Sequence, residues 1–323
     1  MNADEIVSHP ALFPVIQRQS RAFLQVSEEH PRLAAVFATH QRWLMAMVAV
    51  ALYFRSNPGG SPTGTSTARF FEVIDYHSVA SKNTASAFVK EMLNYGFASY
   101  GSDIEDKRTV TFHPTALSVD AIGVWLTIGL TTLDSLDGKT RLATFQAAPD
   151  GARRLLPLIS DGLLKSRAVR EPKNTFSLFS WLNEGGIVIE RLITGMRKAD
   201  IKAARISTDI TSVTNLGMWL TLSRAHLARK LREAEDAGSL GWHGQKNHSV
   251  MWVSQGFLQD YMAAQAVKLA IIDASFAMCF GVEAEKSPIV DSSSAMPDAA
   301  NGKGPNIPAA APTGNSALPA ILR

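Results

Sequence analysis

The stretch SKNTASAFVKEMLNYG, Ser81 to Gly96, decides how this chain is read. Ser81 suits an N-cap, where its hydroxyl accepts an orphan amide of the first helical turn. Ala85, Phe88, Val89 and Met92 recur at helical spacing and form an apolar stripe that can pack on a neighbouring helix. Gly96 falls where a left-handed residue ends a helix. The other face carries Lys82, Asn83, Thr84, Ser86 and Lys90, short or basic donors gathered near a helix N-terminus. Such side chains read base edges and phosphates in a DNA major groove, and they equally make a plain solvated surface. The surroundings of the helix decide between the two.

Upstream lies a short helix, about Thr67 to His77, preceded by SNPGGSPTGTS, where Pro and Gly stop helix propagation. Before that break the pattern predicts a first helix over Ala11 to Val26 and a very apolar second one over Arg32 to Arg55. Downstream, Phe97 to Tyr100 and Thr109 to Phe112 alternate around the polar turn GSDIEDKR and predict two short strands. A long helix opens near Thr115, just after Pro114.

The same skeleton returns at a shift of about 142 residues. LFPVI (Leu12 to Ile16) finds LLPLI (Leu155 to Ile159), Phe37 finds Phe179, and Arg55-Ser56 finds Arg197-Lys198. Ser81-Lys82, Lys90-Glu91 and Gly96 find Ser223-Arg224, Arg232-Glu233 and Gly238. The second copy predicts helices at Ala152 to Lys165 and Thr175 to Lys198, and a closing one at Gln255 to Phe280. The expected units are 1–140 and 141–283, joined across Asp137 to Gly151. A tail after residue 283, rich in Pro, Ala, Gly and Ser, is expected to be disordered.

Helix, tight turn, helix with a basic face, then a hairpin with a charged tip, is the winged-helix order. With SKNTASAFVKEMLNYGF, Asp106-Lys107-Arg108 in the hairpin and Pro114-Thr115 opening the last helix, the chain resembles the multiple-antibiotic-resistance-regulator (MarR) family. The resemblance covers roughly Arg42 to Leu136, and Pro114 stands where that family usually has Leu. It implies that Lys82, Asn83, Thr84 and Ser86 contact the major groove, and that Asp106 braces Arg108 as the wing contact. It also implies dimerisation through the outer helices, which a duplicated chain can satisfy internally as a pseudo-dimer. A small aromatic effector between those helices and the wings is a further implication, with Phe37, Trp43 and Phe71, or Phe179, Trp181 and Trp219, as lining candidates.

The second copy keeps the frame and changes the chemistry. LSRAHLARKLREAEDAGSL brings Arg224, His226, Arg229 and Lys230 to the exposed face, with Leu227, Leu231 and Ala234 inward. Its hairpin, GWHGQKNHSVMWV, lacks Asp-x-Arg and offers Lys246 for a phosphate contact.

Composition narrows the rest. The chain has 323 residues, 46% apolar and 19% charged, which is globular rather than disordered. A net charge of +3 permits a polyanionic partner without demanding one. The single cysteine, Cys279, excludes an internal disulfide and a cysteine zinc site, and its apolar neighbours suggest a buried thiol. With no signal-like N-terminus, the expected location is cytoplasmic. The apolar runs Trp43 to Phe54 and Ile122 to Leu133 are each about a dozen residues, short for a span, so no membrane partner is expected. His226, His243 and His248 lack companion ligands at metal spacing, and no nucleophile–base set, paired carboxylates or phosphate loop is present. No cofactor, metal or catalytic residue is expected. The fold expected is mainly α with small β-hairpin wings, two tandem winged-helix units on a helical core. The function expected is a double-stranded DNA-binding regulator; a winged-helix protein-assembly scaffold and a plasmid-type replication initiator are the rivals.

Overall fold

The computed structural model describes residues 1–31, 39–56, 64–101, 111–172, 174–180, 182, 185–217 and 224–284. Phe37, the wing residues Asp106, Lys107 and Arg108, Trp181, Trp219 and the expected tail lie outside the described residues.

The first half runs α1 (Ala3–Val7), α2 (Leu12–Glu29), α3 (His40–Ser56), β1 (Thr65–Ser66), α4 (Thr67–Tyr76), α5 (Lys82–Asn94), β2 (Ala98–Tyr100), β3 (Thr111–Pro114) and α6 (Ala116–Asp137). The second runs α7 (Arg141–Ala147), α8 (Gly151–Lys165), α9 (Arg167–Arg170), α10 (Asn174–Ser180), α11 (Gly185–Gly195), a 3-10 turn (Lys198–Asp200) and β4 (Arg205–Ser207). It then continues with α12 (Val213–Gly217), α13 (Arg224–Asp236), β5 (Leu240–Trp242), β6 (Met251–Ser254) and α14 (Gln255–Ala284). The molecule is mainly helical with two small antiparallel sheets.

Those sheets share one order, β1-β3-β2 and β4-β6-β5. Ser99 faces His113 in the first, and Gly241 faces Trp252 in the second. Each is a hairpin with a third strand on its far edge, where the sequence pattern predicts only a hairpin. β1 and β4 are two and three residues long. Strands that short cannot display the alternation that marks a strand.

One further expectation is corrected. Thr175 to Lys198 is not one helix: α10 stops, turns through Leu182 N–H to the Phe179 carbonyl, and restarts at Gly185. A Cβ at Gly185 would overlap the Phe179 carbonyl, so the doubled-back chain admits only glycine there. Gly162 lies inside α8, where the lack of a side chain lets α14 approach. The join after Asp137 turns at Gly138 (φ 74°) and then carries the short helix α7.

One continuous core runs through both halves. Packing between the halves is exchanged: α2 lies on α11 and α3 on α8, so the first long helix of each half meets the second of the other. The short leading helices do likewise, α1 on α14 and α7 on α6, while α6 and α14 pack together. By length and composition Ala116–Asp137 (22 residues) and Gln255–Gly281 (27 residues) are long and apolar enough to cross a membrane. The first contains the whole of the run Ile122 to Leu133, and the two helices pack against each other with 39% and 33% of their apolar windows buried.

Candidate functional site

Two places in the molecule gather chemistry: the faces of α5 and α13, and a cavity among the central helices.

The sequence places α5 as read. The Ser81 hydroxyl accepts the Thr84 amide at 3.2 Å, and Gly96 adopts φ 75° after the helix. Ala85, Phe88, Val89 and Met92 are buried, while Lys82, Asn83, Thr84 and Lys90 are exposed and Ser86 is half-buried. Three large aromatic residues stand exposed in the same half, Tyr76 at 84%, Tyr100 at 66% and Tyr95 at 57%.

On α13, Leu227, Leu231 and Ala234 are buried, and Gly238 ends the segment at φ 67°. Arg229 is exposed and His226 half-buried; the side chain of Arg224 lies outside the described residues. Two of the expected DNA contacts are occupied internally. Lys230 Nζ sits 2.7 Å from a Glu233 carboxylate oxygen. Lys246 Nζ donates to both oxygens of Glu235 at 2.9 Å, and Trp242 Nε1 donates to the same carboxylate at 2.9 Å. The basic face of the second half is therefore partly neutralised by its own carboxylates.

Among the described residues no cluster of three metal-ligating side chains exists. His243 Nε2 lies 3.2 Å from Ser207 Oγ. Cys279 forms no disulfide and is half-buried rather than enclosed.

The cavity, about 280 Å³, is partly open and lies among α2, α3, α6, α10, α11 and α14. That size is near the lower end of small-molecule pockets, about 300–1,000 Å³. Its wall is mostly apolar and includes Phe23, Trp43, Trp125 and Phe176. Trp43 stacks on His40 (5.5 Å between ring centroids) and tilts against Trp125 at 5.1 Å. Of the aromatics proposed from sequence to line an effector site, Trp43 is in the wall of this cavity. Phe179 is core, edge-on to Phe257, and Phe71 packs beside Phe70.

Into this apolar wall the chain sets a polar group of Glu190, Tyr261 and Lys268. The Tyr261 hydroxyl donates to Glu190 at 2.9 Å and lies 3.5 Å from Ser20 Oγ. Gln19 Nε2 donates to Gln265 Oε1 at 3.2 Å along the same side. Lys268 makes no hydrogen bond or ion pair among the described residues; its ammonium lies 5.3 Å from the centroid of the Trp43 ring. The Trp43 indole N–H is buried with no hydrogen-bond partner among the described residues.

Burial sets the charges. It pushes the Glu190 carboxyl above the usual carboxylate range, against the pull of Ser20, Tyr261 and Lys268. Burial lowers Lys268, and the Glu190 charge only partly opposes this. His40 drops to about 3 through burial and the nearby Lys268 charge, so it is a neutral imidazole whose Nε2 lies 2.6 Å from the Val169 carbonyl. All these shifts favour uncharged forms in one low-dielectric space.

The group is one-sided. The matching helices of the first half offer no carboxylate on α3 and no lysine on α6. Sequence reading missed it, although a lone Glu in GGIVIERLITG and a lone Lys in QAVKLAIID are signals: a charge in an apolar helix needs a partner or a task. No known protein family, characterised protein or solved structure matches this chain.

Proposed function

We propose that this chain is a double-stranded DNA-binding transcriptional regulator, with two tandem winged-helix units on an internal pseudo-dimer. The observation that carries the reading is the repeated order in each half: an edge strand, a short helix, a polar-faced helix, then the two strands of a hairpin. In that order α5 and α13 take the place of recognition helices. Lys82, Asn83, Thr84, Ser86 and Lys90 then contact one groove, and Arg224, His226 and Arg229 the other. Asp106, Lys107 and Arg108 belong to the first wing. The exchanged packing of α2, α3, α8 and α11 supports the pseudo-dimer, because contacts that repeat with the halves swapped are the mark of an isologous interface. A small aromatic effector fits the cavity beside Trp43.

One observation favours a protein-assembly scaffold instead: Tyr76, Tyr95 and Tyr100 are exposed in the first half, while Lys230 and Lys246 are held by Glu233 and Glu235 in the second. A gel shift with mixed genomic fragments over a salt series separates the two. Loss of a phosphate contact weakens all fragments alike and lowers the salt slope by roughly one, whereas loss of a base contact costs about 1–3 kcal/mol on the preferred site only. Lys82→Ala and Arg229→Ala are expected to weaken binding, and Lys246→Ala, already paired, to change it little. Binding that keeps its strength and salt slope after removal of Lys82, Arg108, Arg224 and Arg229 together ends the regulator reading.

A further inference from the structure

The cavity holds an arrangement that a packing role does not explain. A lysine in an apolar wall without a hydrogen bond or ion pair is costly, and so is a buried carboxyl in the same space. The Trp43 indole N–H in the same wall is buried with no hydrogen-bond partner among the described residues. Structural lysines inside proteins are usually bridged to a carboxylate; here the carboxylate of Glu190 is taken by Tyr261 instead. What remains is an amine, a proton source and flat aromatic walls around an open volume.

We propose that Lys268 captures an oxygen-bearing aromatic aldehyde in this cavity as a reversible imine, with Glu190 as the proton donor. The assignment extends the effector reading of the cavity and needs nothing from the DNA reading. An amine in an apolar site is a carbonyl nucleophile because burial favours the form with a free lone pair. The groups facing it are Glu190 on α11, Tyr261 on its own helix and His40 on α3, which burial keeps neutral.

The step balances without any further reactant. Lys268 Nζ adds to the carbonyl carbon, and a proton passes from nitrogen to oxygen to give the carbinolamine. The Glu190 carboxyl then protonates the departing hydroxyl, which leaves as water. The products are a protonated imine on Lys268 and a carboxylate on Glu190, two opposite charges in place of two neutral groups. The ring lies along Trp43 and Trp125, and a ring hydroxyl or methoxy oxygen accepts the Trp43 N–H. Hydrolysis by the reverse path releases the ligand.

The probe is 4-hydroxybenzaldehyde with sodium cyanoborohydride at neutral pH on the full-length protein, read by intact mass and by peptide mapping. One saturable hydroxybenzyl adduct is expected, on Lys268, at aldehyde concentrations below those that label the exposed lysines. Lys268→Arg removes the adduct, and Glu190→Gln slows its formation about ten-fold with melting temperature as the control for folding. Mapping in the unsubstituted protein assigns the site even where a variant fails to fold. Labelling spread over surface lysines with no preference for Lys268 overturns the proposal. So does stabilisation by 4-hydroxybenzoate with no aldehyde adduct, which makes the cavity a plain anion site and leaves the effector reading standing. The gel shift reports separately on DNA binding.

Discussion

At the scale of the residue, Arg141 is the most constrained side chain outside the cavity. It is 2% exposed, donates to both oxygens of Asp137 at 2.7 and 2.6 Å, and donates to Asp273 at 2.6 Å and to Asp134 at 3.2 Å. The amino group of Met1 completes the set on Asp273. Arg141→Met strips the buried Asp273 and the half-buried Asp134 and Asp137 of their shared guanidinium and is expected to cost about 3 kcal/mol, measured by denaturant unfolding. Hydrogen bonds from Arg141 hold Asp137 down to about 2. The unfolded chain therefore takes up that proton first, so the stabilisation is complete above the ordinary carboxylate range and is lost as pH falls toward 2. His40 acts in a higher window. Its folded value of about 3 lies below the ordinary 6.5, so the unfolded state gains a proton that the folded state refuses. Stability should fall with acid across that window by up to about 1.4 kcal/mol per pH unit, and His40→Gln should flatten this limb. A limb of the same slope in His40→Gln places the sensitivity elsewhere. The sequence made the cap, the stripe and the terminal glycine of α5 legible because each is local. Glu190 and Tyr261 are 71 residues apart, and only tertiary packing brings them together.

At the scale of the element, helix existence was legible and helix breaks were not. α6 and α14 follow from long apolar runs, whereas the break before α11 depends on a backbone approach to Phe179 that no periodicity encodes. Two mid-helix glycines test how closely the central helices pack. A Cβ on Gly129 would meet Ile272 Cδ1 at 2.8 Å, and one on Gly162 would meet Ile271 Cγ2 at 2.5 Å. Alanine is better than glycine inside a helix by roughly 0.8–1.0 kcal/mol. At Gly129 the obstacle is the free end of a flexible side chain, so Gly129→Ala should be near neutral. At Gly162 the obstacle is a methyl on a branched Cβ, and overpacking of that kind typically costs about 1–3 kcal/mol. Gly162→Ala should therefore lower stability in urea unfolding, and Ile271→Ala should recover part of the loss when added to it. Equal effects at the two glycines would mean that α8 and α14 can move apart.

At the scale of the whole molecule, the repeated order of elements was legible as an ordered series of matches, but the exchange of helices between halves was not. Apolar faces announce that a helix is covered, not which half covers it. The contacts that cross are specific. Gln17 on α2 donates to the Ile193 and Met196 carbonyls at the end of α11, at 3.0 and 2.9 Å. Arg55 at the end of α3 donates to the Pro157 carbonyl at 3.0 Å and pairs with Asp161 at 2.7 Å on α8. Arg170 reaches the His77 carbonyl at 2.9 Å. A half expressed alone keeps its sheet but loses the partner of its longest apolar helices. Exposing Met45, Met47 and Val48 of α3 or Ile189 and Ile193 of α11 forfeits about 1.5–3 kcal/mol per side chain, and a domain is stable by only 5–15 kcal/mol. The two halves should therefore melt together, in one calorimetric transition whose van't Hoff and calorimetric enthalpies agree. Residues 1–140 and 141–283 made separately should each be poorly folded or self-associate. Mixed and refolded together, they should recover the helical signal and one-to-one stoichiometry. Two independent transitions in the intact chain, or a monomeric folded half, would show that each unit owns its core and that the exchange is only contact between finished domains.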